Sequence, residues 1–141
     1  MASAETEVAV EVEVRIAASP ETVFDFLVEP DKMIQWMGRS AVLEPRPGGT
    51  FRCDMNGEDI ARGEFVEVDP PRRAVFTWGW EAGGFPIEPG SSTVEIVLEP
   101  EGDGTLLRLT HTGLPAGEAV ARHREGWERF IPRLADTAAG E

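Results

Sequence analysis

The 141 residues carry 26 acidic against 13 basic side chains, a formal charge of -13, and 41% of positions are hydrophobic. That is the size of one ordinary domain with one core, and its charge repels phosphate backbones and anionic lipid, which sets nucleic acid aside as a partner. Met1 to Glu7 hold neither a basic nor an apolar stretch, so they do not read as a secretory signal, and no later run could span a bilayer.

From Val8 to Ile16 an apolar residue falls at every second position, the period of a half-buried strand, with Glu7, Glu11, Glu13 and Arg15 facing out. Ser19 can cap a helix, Pro20 suits its first position, and Val23, Phe24 and Leu27 give it an apolar face. Glu29-Pro30 breaks that helix, and a second short one is expected over Asp31 to Trp36. After Gly38 short apolar runs alternate with turn chemistry at Pro47-Gly48-Gly49, Asn56-Gly57, Asp69-Pro70-Pro71 and Glu101-Gly102-Asp103-Gly104. Strands are expected at 39–45, 50–55, 60–68, 73–81, 92–99 and 105–112, making seven with the first. Ala82 to Gly90 is the longest loop and the expected mobile lip of a pocket. From Ala116 the period becomes helical, with Val120, His123, Trp127, Phe130, Ile131 and Leu134 on one broad face. Pro132 removes a backbone donor, so a kink or an early end is expected there. The elements define an α+β, helix-grip architecture: a seven-stranded curved antiparallel sheet around a long C-terminal helix, with two short helices after the first strand. One domain is expected over 1–141, with 1–6 and 136–141 flexible.

The chain lacks a Walker loop, a dinucleotide fingerprint, a nucleophile elbow, a paired-histidine zinc motif and any C-x-x-C. The lone Cys53 reads as a buried strand residue and suits a reducing cytoplasm. Asp54, Glu58 and Asp59 flank an Asn-Gly turn without calcium-loop spacing, so a solvated hairpin tip is expected and no metal is assigned. No cofactor is expected either. His111, on the core-facing side of its strand, and His123, one turn before Trp127, are the weak catalytic candidates; a core histidine satisfied by backbone or a neighbouring threonine is the favoured reading of His111, and packing or helix–sheet hydrogen bonding that of His123. Phe76, Trp78 and Trp80 project from one strand face toward Trp127, a wall that serves either a core or a pocket. Gly126, inside the helix, is expected where the backbone closely approaches a sheet or ligand.

Several stretches in order resemble one family: V-R-I-A-A-S-P-E-T-V-F-D from Val14, W-M-G from Trp36, G-E-F-V-E-V-D-P-P-R-R-A-V-F-T-W from Gly63, L-T-H-T-G-L-P from Leu109 and H-R-E-G-W from His123. It is the activator of heat-shock protein 90 ATPase homologues, of the START-like (SRPBCC, Bet v-type) superfamily, and the likeness runs from about Val10 to Leu134. The resemblance implies a deep cavity between sheet and C-terminal helix, used across the superfamily for lipids, sterols and polyketides and in some branches for catalysis. The family's G-W-x-x-x-L-x-x-L ending falls on Gly126, Trp127, Ile131 and Leu134, interrupted here by Pro132. Fold alone does not fix function. The leading expectation is a noncatalytic cytoplasmic carrier or sensor of a small apolar or aromatic molecule, with Trp36, Phe51, Phe65, Trp78, Trp80, His111, His123 and Trp127 as ligand-binding residues. The alternative is a cyclase- or hydrolase-like enzyme using a pocket histidine. A co-chaperone stimulating an ATPase ranks last, because family co-chaperones carry an additional N-terminal domain; a homodimer is left open.

Overall fold

Alternating valines need a partner strand to satisfy their backbone, and β1 (Val8–Ile16) finds one in β8 (Gly104–Thr112), far away in sequence and antiparallel to it. The computed structural model describes residues 8–82 and 87–141. After β1, the Ser19 side chain accepts the Thr22 N–H and caps α1 (Pro20–Val28), whose Val23, Phe24, Phe26 and Leu27 are buried. The second helix, α2 (Pro30–Met33), is shorter than expected and continues as a turn through Trp36 and Met37.

The remaining strands are β2 (Ser40–Leu43), β3 (Thr50–Asp54), β4 (Ile60–Asp69), β5 (Arg73–Trp78), β6 (Trp80–Ala82) and β7 (Ser92–Glu101). They run in the order β1-β8-β7-β5-β4-β3-β2, with β6 pairing separately to β4; every pairing is antiparallel. The single strand expected at 73–81 is thus two, which makes eight strands. Gly79 divides them: a side chain there would stand 1.7 Å from the carbonyl oxygen of Glu88, and Trp80 N–H is taken by the Ile87 carbonyl at 2.7 Å. The returning chain presses on the strand and pulls β6 away from β7. The expected lip at 82–90 lies partly outside the described residues, at 83–86.

The long helix, α3 (Glu118–Ala139), buries His123, Trp127, Ile131, Leu134 and Ala138, a spacing of three and four that keeps one face on the sheet. It does not stop at Pro132. Glu128 and Pro132 are both exposed, while Ile131 and Leu134 are buried on either side, so packing holds the helix across the lost hydrogen bond. The inward sheet face supplies Phe51, Phe65, Phe76, Ile96, Leu98, Leu107 and Leu109 to one continuous core. Among the described residues no helix is long and apolar enough to cross a membrane.

Candidate functional site

The inward aromatic rows of the sheet are packed in two ways. Toward its interior, Phe51 of β3 stacks on Phe76 of β5 with ring centroids 4.1 Å apart, and Phe65 of β4 meets both edge-on. Further along β5, Trp78 lies 5.1 Å from Trp127 of α3 and meets Trp80 of β6 edge-on at 5.4 Å. Here the filling is incomplete. A cavity of about 250 Å³ opens between α3 and the β3–β4 hairpin, lined by Trp78, Trp80, His123, Trp127, Phe130 and Met55. Its rim carries Asn56, Asp59, Arg122, Glu125 and Arg129, and Gly126 forms part of the wall.

The hairpin holds its shape through its own polar groups. Asp54 Oδ1 accepts Gly57 N–H at 2.6 Å, and Asn56 Oδ1 accepts the N–H groups of Glu58 and Asp59 at 2.9 and 2.8 Å. Gly57 has φ of +90°, a conformation that favours glycine. The turn thereby keeps Met55, Asn56 and Asp59 at the cavity mouth. The expected solvated tip is therefore also a wall, through sheet curvature that brings residues 55–59 opposite 122–130.

Two histidines stand side by side near this site, with ring centroids 5.3 Å apart and planes perpendicular. Trp127 Nε1–H donates to His111 Nδ1 at 3.0 Å, which makes Nδ1 an acceptor and places the proton on Nε2. That Nε2–H donates to Ser92 Oγ at 2.8 Å, and the Ser92 hydroxyl donates in turn to the Trp78 carbonyl at 2.8 Å. The relay is complete, with every member buried. Burial, and secondarily the neighbouring His123, pushes the His111 pKa down to about 3, so the ring is neutral at ordinary pH.

His123 takes the opposite tautomer. It accepts Trp80 Nε1–H at Nε2, 3.0 Å away, and its Nδ1–H donates to the Ala119 carbonyl at 2.7 Å, one turn back along α3. Burial lowers its pKa too, opposed by the Ala119 hydrogen bond and assisted by Arg122. A neutral ring with both nitrogens engaged is a positioning group: it holds the Trp80 indole across the cavity.

Of the residues expected to bind a ligand, Trp78, Trp80, His123 and Trp127 line the cavity. The other four do not. Trp36 is buried near the short helices and donates its Nε1–H to the Phe26 carbonyl at 3.0 Å. Phe51 and Phe65 are locked in the phenyl cluster, and His111 sits one layer behind Trp127 as its acceptor. Met55, Asn56, Asp59, Arg122, Glu125, Arg129 and Phe130 line the cavity without having been singled out as binding residues; Phe130 was legible as part of the helical face, whereas the hairpin residues carry no local signal. Gly126 borders open space, since a side chain there would meet nothing within 4 Å. Its expected close approach to the sheet is absent; it keeps the cavity wall low instead. Among the described residues no three His, Cys, Asp or Glu side chains are grouped to hold a metal ion.

One feature of the floor is unusual for a folded interior. Among the described residues only two buried side-chain polar atoms lack a hydrogen-bond partner, Arg73 Nε and Trp78 Nε1. The Arg73 guanidinium still reaches Glu95 through another nitrogen at 2.8 Å. Trp78 has one polar atom and it is unpaired.

An antiparallel sheet gripping a long helix, with an aromatic cavity opened between them, defines the helix-grip class of START-like domains. A likeness within that class is direct: residues 17–139 match the model for "Activator of Hsp90 ATPase homolog 1-like protein", and the chain belongs to that family. An AHSA1-like protein from Rhizobium etli, solved in solution, is 45% identical with a TM-score of 0.74; the match covers 94% of this chain and 82% of that one. DynU16, a protein in the dynemicin biosynthetic locus, is 26% identical with a TM-score of 0.76, over 90% of this chain but only 45% of its own. The Aha1 dimer from Colwellia psychrerythraea, 21% identical over 92% and 95% of the two chains with a TM-score of 0.79, shares the fold. No curated protein matches the chain in sequence.

Proposed function

We propose that the protein is a noncatalytic carrier or sensor, acting as one domain, that binds a small apolar or aromatic molecule in the cavity between α3 and the β3–β4 hairpin. The observation that carries this reading is the indole-floored cavity of about 250 Å³ beside the stacked phenyl rings of the core. That volume lies just under the range of roughly 300–1,000 Å³ usual for small-molecule sites, which favours a ligand of one or two rings. Its lining is mostly aromatic with a few polar groups at the rim, the usual composition of such a site. The likeness to DynU16, a protein in the dynemicin biosynthetic locus, supports a small-molecule ligand.

The histidines support binding over acid–base turnover. A general base needs a lone pair free to accept a proton, and the lone pair of each ring already receives an indole N–H. A panel of one- and two-ring aromatic compounds, followed by tryptophan fluorescence and melting temperature, tests the reading. A true ligand at a hundred times its Kd raises stability by about 2.7 kcal/mol. A panel that moves neither signal removes the proposal. Should turnover of any panel member be found, its loss in His123→Ala with binding retained would transfer the site to the enzyme reading.

A further inference from the structure

We infer that the indole N–H of Trp78 is the donor that selects this cavity's ligand, and that the ligand is a small aromatic molecule carrying a neutral hydrogen-bond acceptor, a ketone or quinone carbonyl, at its buried end. This deepens the proposed function and rests on it.

The argument begins with an inventory of the four indoles. Trp36 donates to the Phe26 carbonyl, Trp80 to His123 and Trp127 to His111, so the fold itself satisfies three. The fourth, Trp78, is 2% exposed, has no acceptor for its N–H, and lines the floor of the cavity. Buried donors without partners are rare in native interiors because each keeps the cost of its lost hydration. The two histidine acceptors beside the indole layer are engaged, His111 Nδ1 by Trp127 and His123 Nε2 by Trp80, and the Trp78 carbonyl receives the Ser92 hydroxyl. The missing acceptor is therefore the ligand's.

Charge narrows the class. Among the described lining residues the charged ones are Asp59 and Glu125 against Arg122 and Arg129, two of each sign, all at the rim. A carboxylate pressed against one indole N–H with no counter-charge would be strongly disfavoured, whereas a carbonyl is a neutral match for a single donor. The surrounding rings of Trp78, Trp80, Trp127 and Phe130 favour an aromatic body around that carbonyl. The N–H is buried, and the half-buried Trp80 ring packs edge-on against Trp78 at 5.4 Å. A ligand reaches the N–H when that ring shifts, loosening its edge-on contact and its hydrogen bond to His123 in exchange for the new hydrogen bond at Trp78.

The test compares 1-indanone with indane, two probes of nearly equal shape of which only the first has a carbonyl. The four indole N–H resonances of the ¹⁵N-labelled protein are followed through both titrations. Trp78→Phe assigns its signal; if that variant fails to fold, Trp36→Phe, Trp80→Phe and Trp127→Phe assign it by elimination. The expected result is a downfield movement of the Trp78 signal with 1-indanone alone, and roughly 3- to 10-fold tighter binding than indane. In a folded Trp78→Phe protein that preference disappears: the ratio of the two affinities falls to about one, whatever the absolute affinity for indane. Equal affinity for the two probes, with the Trp78 signal unmoved by the carbonyl, overturns the donor inference and leaves the cavity a binding site. Binding of neither probe overturns the inference together with the reading on which it rests.

Discussion

The phenyl cluster of Phe51, Phe65 and Phe76 and the indole cluster of Trp78, Trp80 and Trp127 are neighbours on one sheet face, yet the first is solid and the second encloses a cavity. Phenyl rings need only contact, and they stack until the space is gone. Indoles also need an acceptor for each N–H, and the positions of His111 and His123 fix where two of those rings can lie. A polar requirement that specifies ring orientation leaves packing second, and the remaining space stays open. The difference teaches that the hollow is specified by hydrogen bonds rather than by a shortage of side chains.

The strongest way to break this comparison is truncation in the solid half. Phe76→Ala removes a fully buried ring and is expected to cost about 3–5 kcal/mol in denaturant unfolding. Trp80→Ala, removing a half-buried ring at the edge of a void, should cost clearly less while abolishing ligand binding. Equal costs would mean that the indole end is core like the rest.

The two histidines sharpen it next. His111→Leu strands the Trp127 N–H in a dry interior, an expected loss of about 1–3 kcal/mol, and removes the donor to the Ser92 hydroxyl, which keeps its own bond to the Trp78 carbonyl. His123→Leu removes the acceptor facing the Trp80 N–H, on a ring that is half-buried, and the donor to the Ala119 carbonyl, and should cost less by the same measurement.

Acid provides a third view of the same pair. Both folded pKa values lie below the ordinary 6.5, so between that value and the folded one the unfolded chain binds the extra proton. Stability is therefore full above pH 6.5 and falls as pH decreases, by up to about 1.4 kcal/mol per pH unit for each titrating group, the His111 contribution being exhausted only near its folded value of about 3. Glu81, held below the usual carboxylate range first by its hydrogen bond from Arg52, adds to this only below about pH 4.5. Unfolding free energies measured from pH 7 to 5 should show the histidine slope, and His111→Leu should reduce it by one proton. A flat profile over that interval would sink the buried-neutral assignment.

The smallest expected effect has the opposite sign. Gly126→Ala faces open space and gains helix propensity, so it should stabilise α3 by about 0.5–1 kcal/mol while its methyl narrows the cavity and weakens ligand binding. Thermal melting with and without ligand separates the two.

Much of the fold was legible because its signals are local. The alternating valines of β1, the Ser19-Pro20 helix start and the three-four spacing of α3 each specify their element without reference to the rest of the chain. The division at Gly79 was not, because the carbonyl that presses there belongs to Glu88, nine residues on, and a strand period cannot report a returning loop. The candidate site was legible by face and not by depth. Alternation placed Phe51, Phe65 and Trp78 inward correctly, but whether an inward ring meets another ring or a void depends on its partners across the sheet. The favoured reading of His111 as a satisfied core histidine agrees with its relay, though the hydroxyl beside it is that of Ser92. The cavity's hairpin wall was hidden for the same reason: residues 55 to 59 meet α3 only after the sheet has curved.

Pro132 leaves the Glu128 carbonyl without the helical donor four residues on, and both residues face water. The missing rung separates the length of α3 that carries His123 and Trp127 over the cavity from the length that carries Leu134 and Ala138 over the core. Fraying from the C-terminal end is expected to reach that rung first, so the amide protons of the cavity segment should exchange with solvent on a slower clock than those beyond the proline.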